Sequence, residues 1–167
     1  GLQAAIHRQR GAGLPTYRSE LENTIRRLEG LPPGSKDAAL ERLSGLPDGE
    51  ALCHGDFHPD QVMMTPAGQV VLDWMTARAG QPAADVARTV MMLRFGPVLD
   101  ASWLMRLLTN LLRGIFLRAY LRRYLELNPA VTAAAVDAWL PPMAVARLAE
   151  NIPGERENLT TFLKQAL

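Results

Sequence analysis

Two segments, Leu52-Cys-His-Gly-Asp-Phe-His-Pro-Asp-Gln61 and Val70-Val-Leu-Asp-Trp74, decide the fold of this chain and the chemistry that it can carry. The first segment places two histidines and two aspartates within seven residues. The second segment places Asp73 at the end of a short apolar run. The remainder of the chain is mostly Ala, Leu and Arg at helical spacing, which is typical of scaffold. We therefore expect the functional residues to lie between positions 52 and 74.

Two short β-runs lie within this region, over residues 61–64 and 69–73. They are joined by Thr65-Pro-Ala-Gly68, a sequence that favours a hairpin turn. Carboxylates stand at the entry and the exit of this hairpin, at Asp56 and Asp73. A hairpin placed between helices would bring these two carboxylates near one point.

The rest of the sequence predicts helices, so the fold class is mainly α with one small β-hairpin (α+β), in a single domain over 1–167. Thr16 or Ser19 can cap the second helix. Residues 99–127 are apolar over more than one stripe, which predicts deep packing. Pro141-Pro142 should kink or split the helix that contains them. Helices are predicted over 2–10, from the cap at Thr16 or Ser19 to about residue 30, over 36–43, from Pro82 to about residue 95, over 99–127 and 132–151, and over a last segment that ends near Leu167.

Composition excludes several classes of protein. The formal net charge is +1, so no strong field points to a nucleic acid or to an anionic membrane. The single cysteine, Cys53, excludes an internal disulfide and fits a reducing compartment. The most apolar region, 98–127, is interrupted by charged residues, and no signal peptide is evident at the start. We therefore expect a soluble cytoplasmic protein with neither a nucleic-acid partner nor a membrane partner.

Two convergent carboxylates suit phosphoryl transfer. One carboxylate accepts the proton of the attacking hydroxyl, and another holds the metal ions that bridge the phosphates. A side-chain amide five residues after the base, here Gln61 after Asp56, supplies a further oxygen. Mg²⁺ prefers such hard oxygen ligands.

Three motifs in this region resemble those of a known family. His54-Gly-Asp-Phe-His-Pro-Asp-Gln61 resembles the H-G-D-x-x-x-x-N catalytic loop of aminoglycoside phosphotransferase and choline kinase-like enzymes, which are relatives of the protein kinases. Val71-Leu-Asp-Trp74 is similar to their metal-binding segment, and Gln81-Pro-Ala-Ala-Asp-Val-Ala-Arg88 is similar to the helix opening that follows it. The three motifs keep the family's order and spacing over about residues 50–95. The resemblance implies the C-terminal lobe of a protein kinase-like fold.

The resemblance also implies roles for individual residues. Asp56 would be the catalytic base, Asp73 the Mg²⁺ ligand, and His54 a brace of the catalytic loop through hydrogen bonds. Asp85 would act structurally near the site, and Asp60 would stabilise the loop. ATP would be the phosphoryl donor. Gln61 stands where the family has Asn, and its amide reaches about 1.5 Å further, the length of one C–C bond, so metal ligation from this position departs from the family pattern.

A second departure concerns the nucleotide. Kinases of this class use a Gly-rich loop and a strand-borne lysine to hold the phosphates. Neither Lys36 nor Lys164 follows an apolar β-run, and Gly11-Ala-Gly13 is a helix terminator. The chain also begins at Gly1 without a methionine. We therefore expect that the N-terminal nucleotide-binding lobe is absent and that the chain is inactive alone.

Two other functions remain open at this point. His54, Asp56 and His58 alternate, so on a strand they would share one face and could bind Zn²⁺ or Fe, as in a metal-dependent hydrolase. Gly55 and Pro59 instead favour a loop in which both histidines make local hydrogen bonds, and His7 is expected to be a surface residue. A pseudokinase or binding module is the second alternative, because Gln61 and the missing lobe would slow phosphoryl transfer.

The substrate is expected to be a hydroxylated small molecule. The resemblance places the acceptor pocket among helices of residues 99–160. A pocket for a polycationic antibiotic would carry many acids, whereas the acids of this part of the chain are scattered and balanced by arginines. The acids of this part of the chain are Glu126, Asp137, Glu150, Glu155 and Glu157.

The surface that faces the missing lobe should be partly apolar and should favour self-association into a homo-oligomer.

Overall fold

The computed structural model describes residues 1–31, 33–96 and 102–167, without the side chain of Arg106. These residues form a mainly helical fold, as the sequence predicts, and contain two small antiparallel sheets. The helices are α1 (Leu2–Ile6), α2 (Tyr17–Arg27), α3 (Ser35–Gly45), α4 (Pro82–Phe95), α5 (Trp103–Leu127), α6 (Ala133–Leu148) and α7 (Arg156–Ala166), and the strands are β1 (Ala51–Cys53), β2 (Val62–Thr65), β3 (Gly68–Val71) and β4 (Arg78–Gly80).

Side-chain caps fix where several helices begin. The Thr16 hydroxyl accepts a hydrogen bond from the Ser19 amide, so Thr16 is the cap of α2. Thr132 caps α6 in the same way. Pro82 occupies the first turn of α4, where its missing N–H costs nothing. These signals are local, which is why the sequence predicts the helix starts well.

The core is built around α6. This helix packs against α4 and also contacts α2, α3 and α7. Trp139 and Met143 are buried there with Val86 and Met91 of α4. The helix is not split at Pro141–Pro142, contrary to one of the predicted outcomes, because both prolines are buried in the core and the packing around them outweighs the lost backbone hydrogen bonds.

The prediction that residues 99–127 pack deeply is wrong for the first half of α5. Trp103 is 77% exposed, and the apolar side chains from Leu104 to Phe116 are largely exposed as well. Only the second half of α5, which includes the buried Tyr124, packs on the core. A helix of 25 residues is about 37 Å long, much longer than the 14-residue α4 that it contacts. Residues 97–101, including the predicted start of this helix, lie outside the described residues.

The predicted hairpin is present. Strands β2 and β3 pair antiparallel, with Val62 opposite Val71. The sequence does not predict the second sheet, in which β1 pairs with β4 and Cys53 lies opposite Arg78. The pairing of β1 with β4 brings together the two ends of the segment 54–77. Both segments that carry the candidate carboxylates are therefore held between these two strands.

Several apolar side chains of the hairpin and of the turn after it are exposed. Met64 and Met75 are the most exposed of them, and Met63, Val70, Leu72 and Trp74 are partly exposed. Self-association through an apolar surface that faces a missing lobe stays a prediction. Among the described residues, no helix is both long and apolar enough to cross a lipid bilayer.

Candidate active site

Asp85 holds the backbone of the loop that carries Asp56. It lies in the first turn of α4, is fully buried, and accepts four hydrogen bonds. Oδ1 accepts from the Gly55 amide at 2.6 Å, and Oδ2 accepts from the His54 amide at 3.2 Å. Oδ2 also accepts from Gln3 Nε2 and from His7 Nε2, both at 2.9 Å. The carboxylate therefore fixes the backbone of the loop immediately before Asp56.

The same contacts set the ionisation of Asp85. Burial by itself would raise its pKa, but the hydrogen bonds and charge of His7, with those from Gln3 and the Gly55 amide, outweigh burial and hold the pKa below its ordinary value. Asp85 is therefore ionised at neutral pH. The structural role that the sequence assigned to this residue agrees with these contacts.

The prediction that His7 lies on the surface is wrong. His7 is buried, and its Nε2 donates to Asp85 while its Nδ1 lies 2.5 Å from the Tyr124 hydroxyl. The partners are 78 and 117 residues away along the chain. They meet because α1, which ends just before His7, packs on α5, and α5 in turn contacts α4, the helix that carries Asp85. No local pattern in the sequence signals contacts of this kind.

Three residues on one face of α4 hold the loop. Asp85, Arg88 and Thr89 follow the i, i+3, i+4 spacing that places side chains on the same side of a helix. Arg88 Nε donates to the carbonyl of Gly55 at 3.2 Å, and the Thr89 hydroxyl donates to the carbonyl of Phe57 at 2.8 Å. This spacing is visible in the sequence and could have identified Thr89 as a loop contact.

The His54 ring connects the two segments that carry Asp56 and Asp73. Its Nδ1 accepts from the Asp56 amide at 3.3 Å, which leaves Nε2 protonated to donate to the Leu72 carbonyl at 2.8 Å. The ring is fully buried and packs on Trp74, with 4.8 Å between ring centroids. The hydrogen bonds that the resemblance implied for His54 are present.

Gly55 makes the sharp turn of the loop. Its φ is +81°, and a Cβ at this position would lie 2.3 Å from the carbonyl oxygen of Thr76. Only glycine fits both conditions. The Thr76 hydroxyl also donates to the carbonyl of His54 at 2.9 Å. The backbones of the two segments are thus in direct contact.

Asp56 keeps its side chain available. The side chain is 26% exposed, and the nearest nitrogens of basic side chains are His58 Nε2 at 3.5 Å and Arg88 Nη2 at 3.6 Å. Both distances exceed those of a good charge-assisted hydrogen bond. The carboxylate therefore has lone pairs free to accept a proton from a neighbouring hydroxyl.

Arg88 joins the loop to a partly exposed chain of ion pairs that the sequence did not reveal. Glu150 accepts from Arg88 Nη1, from Arg88 Nη2 at 3.0 Å and from Arg147 Nη1 at 2.7 Å. Arg147 in turn forms a bidentate salt bridge with the buried Glu155, in which both N···O distances are 2.8 Å. Burial alone would lower the pKa of Arg88, but Glu150 outweighs burial and raises that pKa. The guanidinium is thus fixed beside Asp56.

The two predicted metal ligands lie at the far side of the loop. Asp73 is exposed, has φ of +55°, and precedes a short 3₁₀ turn at Trp74–Thr76. The carbonyl of Gln61 accepts from the Leu72 amide at 2.8 Å, which ties Gln61 to the residue before Asp73. The Gln61 amide nitrogen lies 3.4 Å from His58 Nε2. One carboxylate and one amide are therefore carried by adjoining segments.

The metal site that a hydrolase would need is not formed in the described part of the chain. No group of three or more His, Cys, Asp or Glu side chains is placed there to hold a metal ion. The two ring nitrogens of His54 are engaged by the Leu72 carbonyl and the Asp56 amide. The segment is also a loop with a 3₁₀ turn at Pro59–Gln61 instead of a strand. These contacts remove the basis for that alternative.

A cavity of about 420 Å³ opens beside Asp56. Tyr17, Glu20 and Thr24 of α2 line one side of it, and Met143 and Glu150 line another. The predicted acceptor region, 99–160, thus supplies only part of this cavity, and α2 supplies a part that the sequence did not reveal. None of the described lining residues comes from α5.

Comparison with known proteins agrees with this site. The chain matches the family model for the phosphotransferase enzyme family (APH) over residues 2–135, which is most of its length and includes all three motifs. No curated protein and no solved structure matches the chain. The chain therefore belongs to the phosphotransferase enzyme family.

Proposed function

We propose that this chain is the catalytic and acceptor-binding lobe, the C-terminal lobe of a protein kinase-like fold, of an enzyme that transfers phosphate from ATP to a hydroxyl of a small molecule. The observation that carries the proposal is the His54 bridge, which joins the Asp56 amide to the Leu72 carbonyl. One ring thereby holds together the segments of a candidate base and a candidate metal ligand. Both carboxylates remain free for chemistry.

In this proposal Asp56 accepts the proton of the acceptor hydroxyl. The acceptor occupies the cavity beside Asp56, and its oxygen would attack the terminal phosphorus of ATP as the hydroxyl proton moves to the carboxylate. The bond from that phosphorus to the bridging oxygen breaks, and ADP leaves with the electron pair. The hydrogen bond that Asp85 accepts from the Gly55 amide, and those that Arg88 and Thr89 donate to the loop, keep the base in position. Preorganisation of this kind avoids rearrangement of the loop during the reaction.

Asp73 and Gln61 would hold Mg²⁺. They offer a carboxylate and an amide oxygen, which suit a hard cation that keeps several waters and takes phosphate oxygens as further ligands. A bound Mg²⁺ ion would neutralise negative charge on the phosphates. The exposed Asp73 carboxylate fits this role, while the Gln61 amide must leave its contact with His58 to take part.

ATP needs further phosphate contacts. Lys36 lies on α3 and Lys164 on α7, so the described residues place no lysine on a strand. We therefore propose that these 167 residues alone do not turn over ATP. ATP hydrolysis by the purified chain above a blank with metal alone would contradict this.

The assay of the proposed activity uses the full-length gene product that contains these residues. Asp56→Asn is expected to lower kcat by about 10²–10⁴, the usual contribution of a general base, without lowering the melting temperature. Asp60→Asn is the matched control, because Asp60 belongs to the same loop and its side chain is 94% exposed. Phosphate transfer that survives Asp56→Asn would overturn the proposed mechanism.

Metal binding can be read separately with Mn²⁺ as the probe. Paramagnetic broadening of the signals around residue 73 is expected in the wild type and should be lost in Asp73→Asn. Gln61→Asn restores the shorter amide of the family pattern and should tighten Mn²⁺ binding. Broadening that persists in Asp73→Asn would remove this residue from the metal site.

A pseudokinase or binding module is the second candidate. The contact of the Gln61 amide with His58 and the helical positions of both lysines favour it. A full-length gene product that binds small hydroxylated molecules yet transfers no phosphate would support this alternative. Transfer that depends on Asp56 would exclude it.

A further inference from the structure

The cavity beside Asp56 contains two arginines in different states. Arg88 is fully engaged, because it contacts Glu150 through two nitrogens and the Gly55 carbonyl through its third. Glu150 is also neutralised from the other side by Arg147. The charges of Arg88 and Glu150 are therefore balanced within the protein, and neither side chain is available to a charged ligand.

Arg78, the other arginine of the cavity, is poorly satisfied. Its Nη1 donates to the carbonyl of the preceding residue, Ala77, at 2.8 Å. Its Nε is buried and has no hydrogen-bond partner, one of two such buried side-chain atoms among the described residues. A buried donor without a hydrogen-bond partner costs free energy. A ligand that accepts a hydrogen bond from Arg78 would remove this cost.

The carboxylate nearest to Arg78 does not neutralise it well. Glu20 Oε2 lies 3.9 Å from Arg78 Nη2, and the Glu20 side chain is 54% exposed. A pair at this distance and exposure contributes little and does not fix the side chain. The edge of the guanidinium formed by Nε and Nη2 is therefore the part that lacks a close partner.

Arg78 is positioned to act on the same molecule as Asp56. Arg78 lies on β4 opposite Cys53, and Cys53 precedes Asp56 by three residues. The side chains of Arg78 and Asp56 line the same cavity. An acceptor in this cavity can therefore meet the base and the arginine at the same time. Pairing with Nε requires a rotation of the Arg78 side chain, because Nε is shielded in this structure. That rotation gives up the Nη1 hydrogen bond to the Ala77 carbonyl and the weak contact with Glu20.

We infer that the acceptor carries a carboxylate in addition to the hydroxyl that is phosphorylated, and that Arg78 binds this carboxylate. The inference rests on the proposed function, since it assigns the acceptor of the same site. The planar edge of an arginine matches a carboxylate through two parallel hydrogen bonds. Arg78 thus excludes acceptors with an ammonium group at the same place, such as amino sugars.

The test compares three ligands with the same six-carbon polyol chain. Gluconate ends in a carboxylate, sorbitol in a hydroxyl, and glucamine in an ammonium group. Binding to the full-length gene product is measured by calorimetry at low salt without nucleotide. Gluconate is expected to bind about tenfold more tightly than sorbitol, the effect of one charged hydrogen-bonded contact, and glucamine more weakly than sorbitol.

Variants assign the preference to Arg78. Arg78→Gln should abolish the preference for gluconate, and Arg78→Lys should keep part of it because the positive charge remains. Arg27→Gln is the matched control, since Arg27 is an exposed arginine of α2, and it should leave the preference intact. Glu20→Gln removes the competing carboxylate and should strengthen the binding of gluconate.

Several outcomes would overturn the inference. These are equal binding of gluconate and sorbitol, no measurable binding of gluconate, tighter binding of glucamine, and a preference that survives Arg78→Gln in a variant with normal melting temperature. The failure of the proposed function is read elsewhere. Phosphate transfer that is unaffected by Asp56→Asn contradicts the assignment of the base, whereas binding measured without nucleotide does not depend on transfer.

Discussion

Asp85 and Asp56 serve the same loop but differ in almost every physical respect. Asp85 is completely buried and accepts hydrogen bonds from two side chains and two backbone amides. Asp56 is partly exposed, and the nearest nitrogens of His58 and Arg88 lie 3.5 and 3.6 Å from its carboxylate. A buried charge is tolerated only when it is fully paired. The saturated carboxylate therefore maintains the structure, and the unsaturated one is free to react.

The largest effect on stability is expected when the saturated carboxylate is removed. Asp85→Ala should lower the free energy of unfolding by about 3–5 kcal/mol, because it leaves buried donors without a partner. Urea denaturation measures this loss. Asp60→Ala, which removes a carboxylate that is almost fully exposed, should cost less than about 0.5 kcal/mol. Equal losses in the two variants would show that burial does not separate these carboxylates.

The turn between the two carboxylates gives the next effect. Gly55→Ala should destabilise the protein through both its positive φ and the contact with the Thr76 carbonyl. Gly13→Ala is the matched control, since Gly13 has φ of +80° but no atom within 4 Å of the added Cβ. The control should cost about 1–2 kcal/mol, and Gly55→Ala at least about 1 kcal/mol more from overpacking. Equal unfolding midpoints would remove the steric part of the argument.

Low pH should remove the contribution of the Asp85 carboxylate to the free energy of unfolding. Its pKa is lowered in the folded state, so its contribution to stability is complete above the unfolded pKa of about 4 and is lost as the pH falls through the folded pKa. The unfolding free energies of the wild type and of Asp85→Asn are measured from neutral pH into this acid range. The gap between them should narrow below about pH 4. Parallel curves would contradict the lowered pKa.

An exposed ion pair should give the smallest effect. Glu22 accepts from Arg26 at 2.6 Å on the surface of α2, at the i, i+4 spacing. Glu22→Gln should cost only about 0.3–0.5 kcal/mol, and less at high salt. Thermal unfolding at two salt concentrations measures it. A loss as large as that of Asp85→Ala would mean that exposure does not determine the strength of carboxylate contacts in this protein.

The sequence predicted the parts of the site that are close together along the chain. The hairpin, the cap at Thr16, the start of α4 and the hydrogen bonds of His54 are all present. Each follows from a pattern within about twenty residues. The apolar first half of α5 shows the limit of such patterns, because composition predicts burial but cannot say how far the core extends along a long helix.

The sequence by itself determined the family, the position of the loop, and the identities of the candidate base and metal ligand. Only the tertiary structure decided that His7 and Gln3 hold Asp85, that Glu150 holds Arg88, and that Arg78 and α2 line the cavity beside Asp56. The physical reason is distance along the chain. Partners 78 or 62 residues apart meet only when the helices pack, and no local spacing encodes that packing. The segment around His54 carries the candidate groups, and the packed helices determine which of their side chains have no close partner.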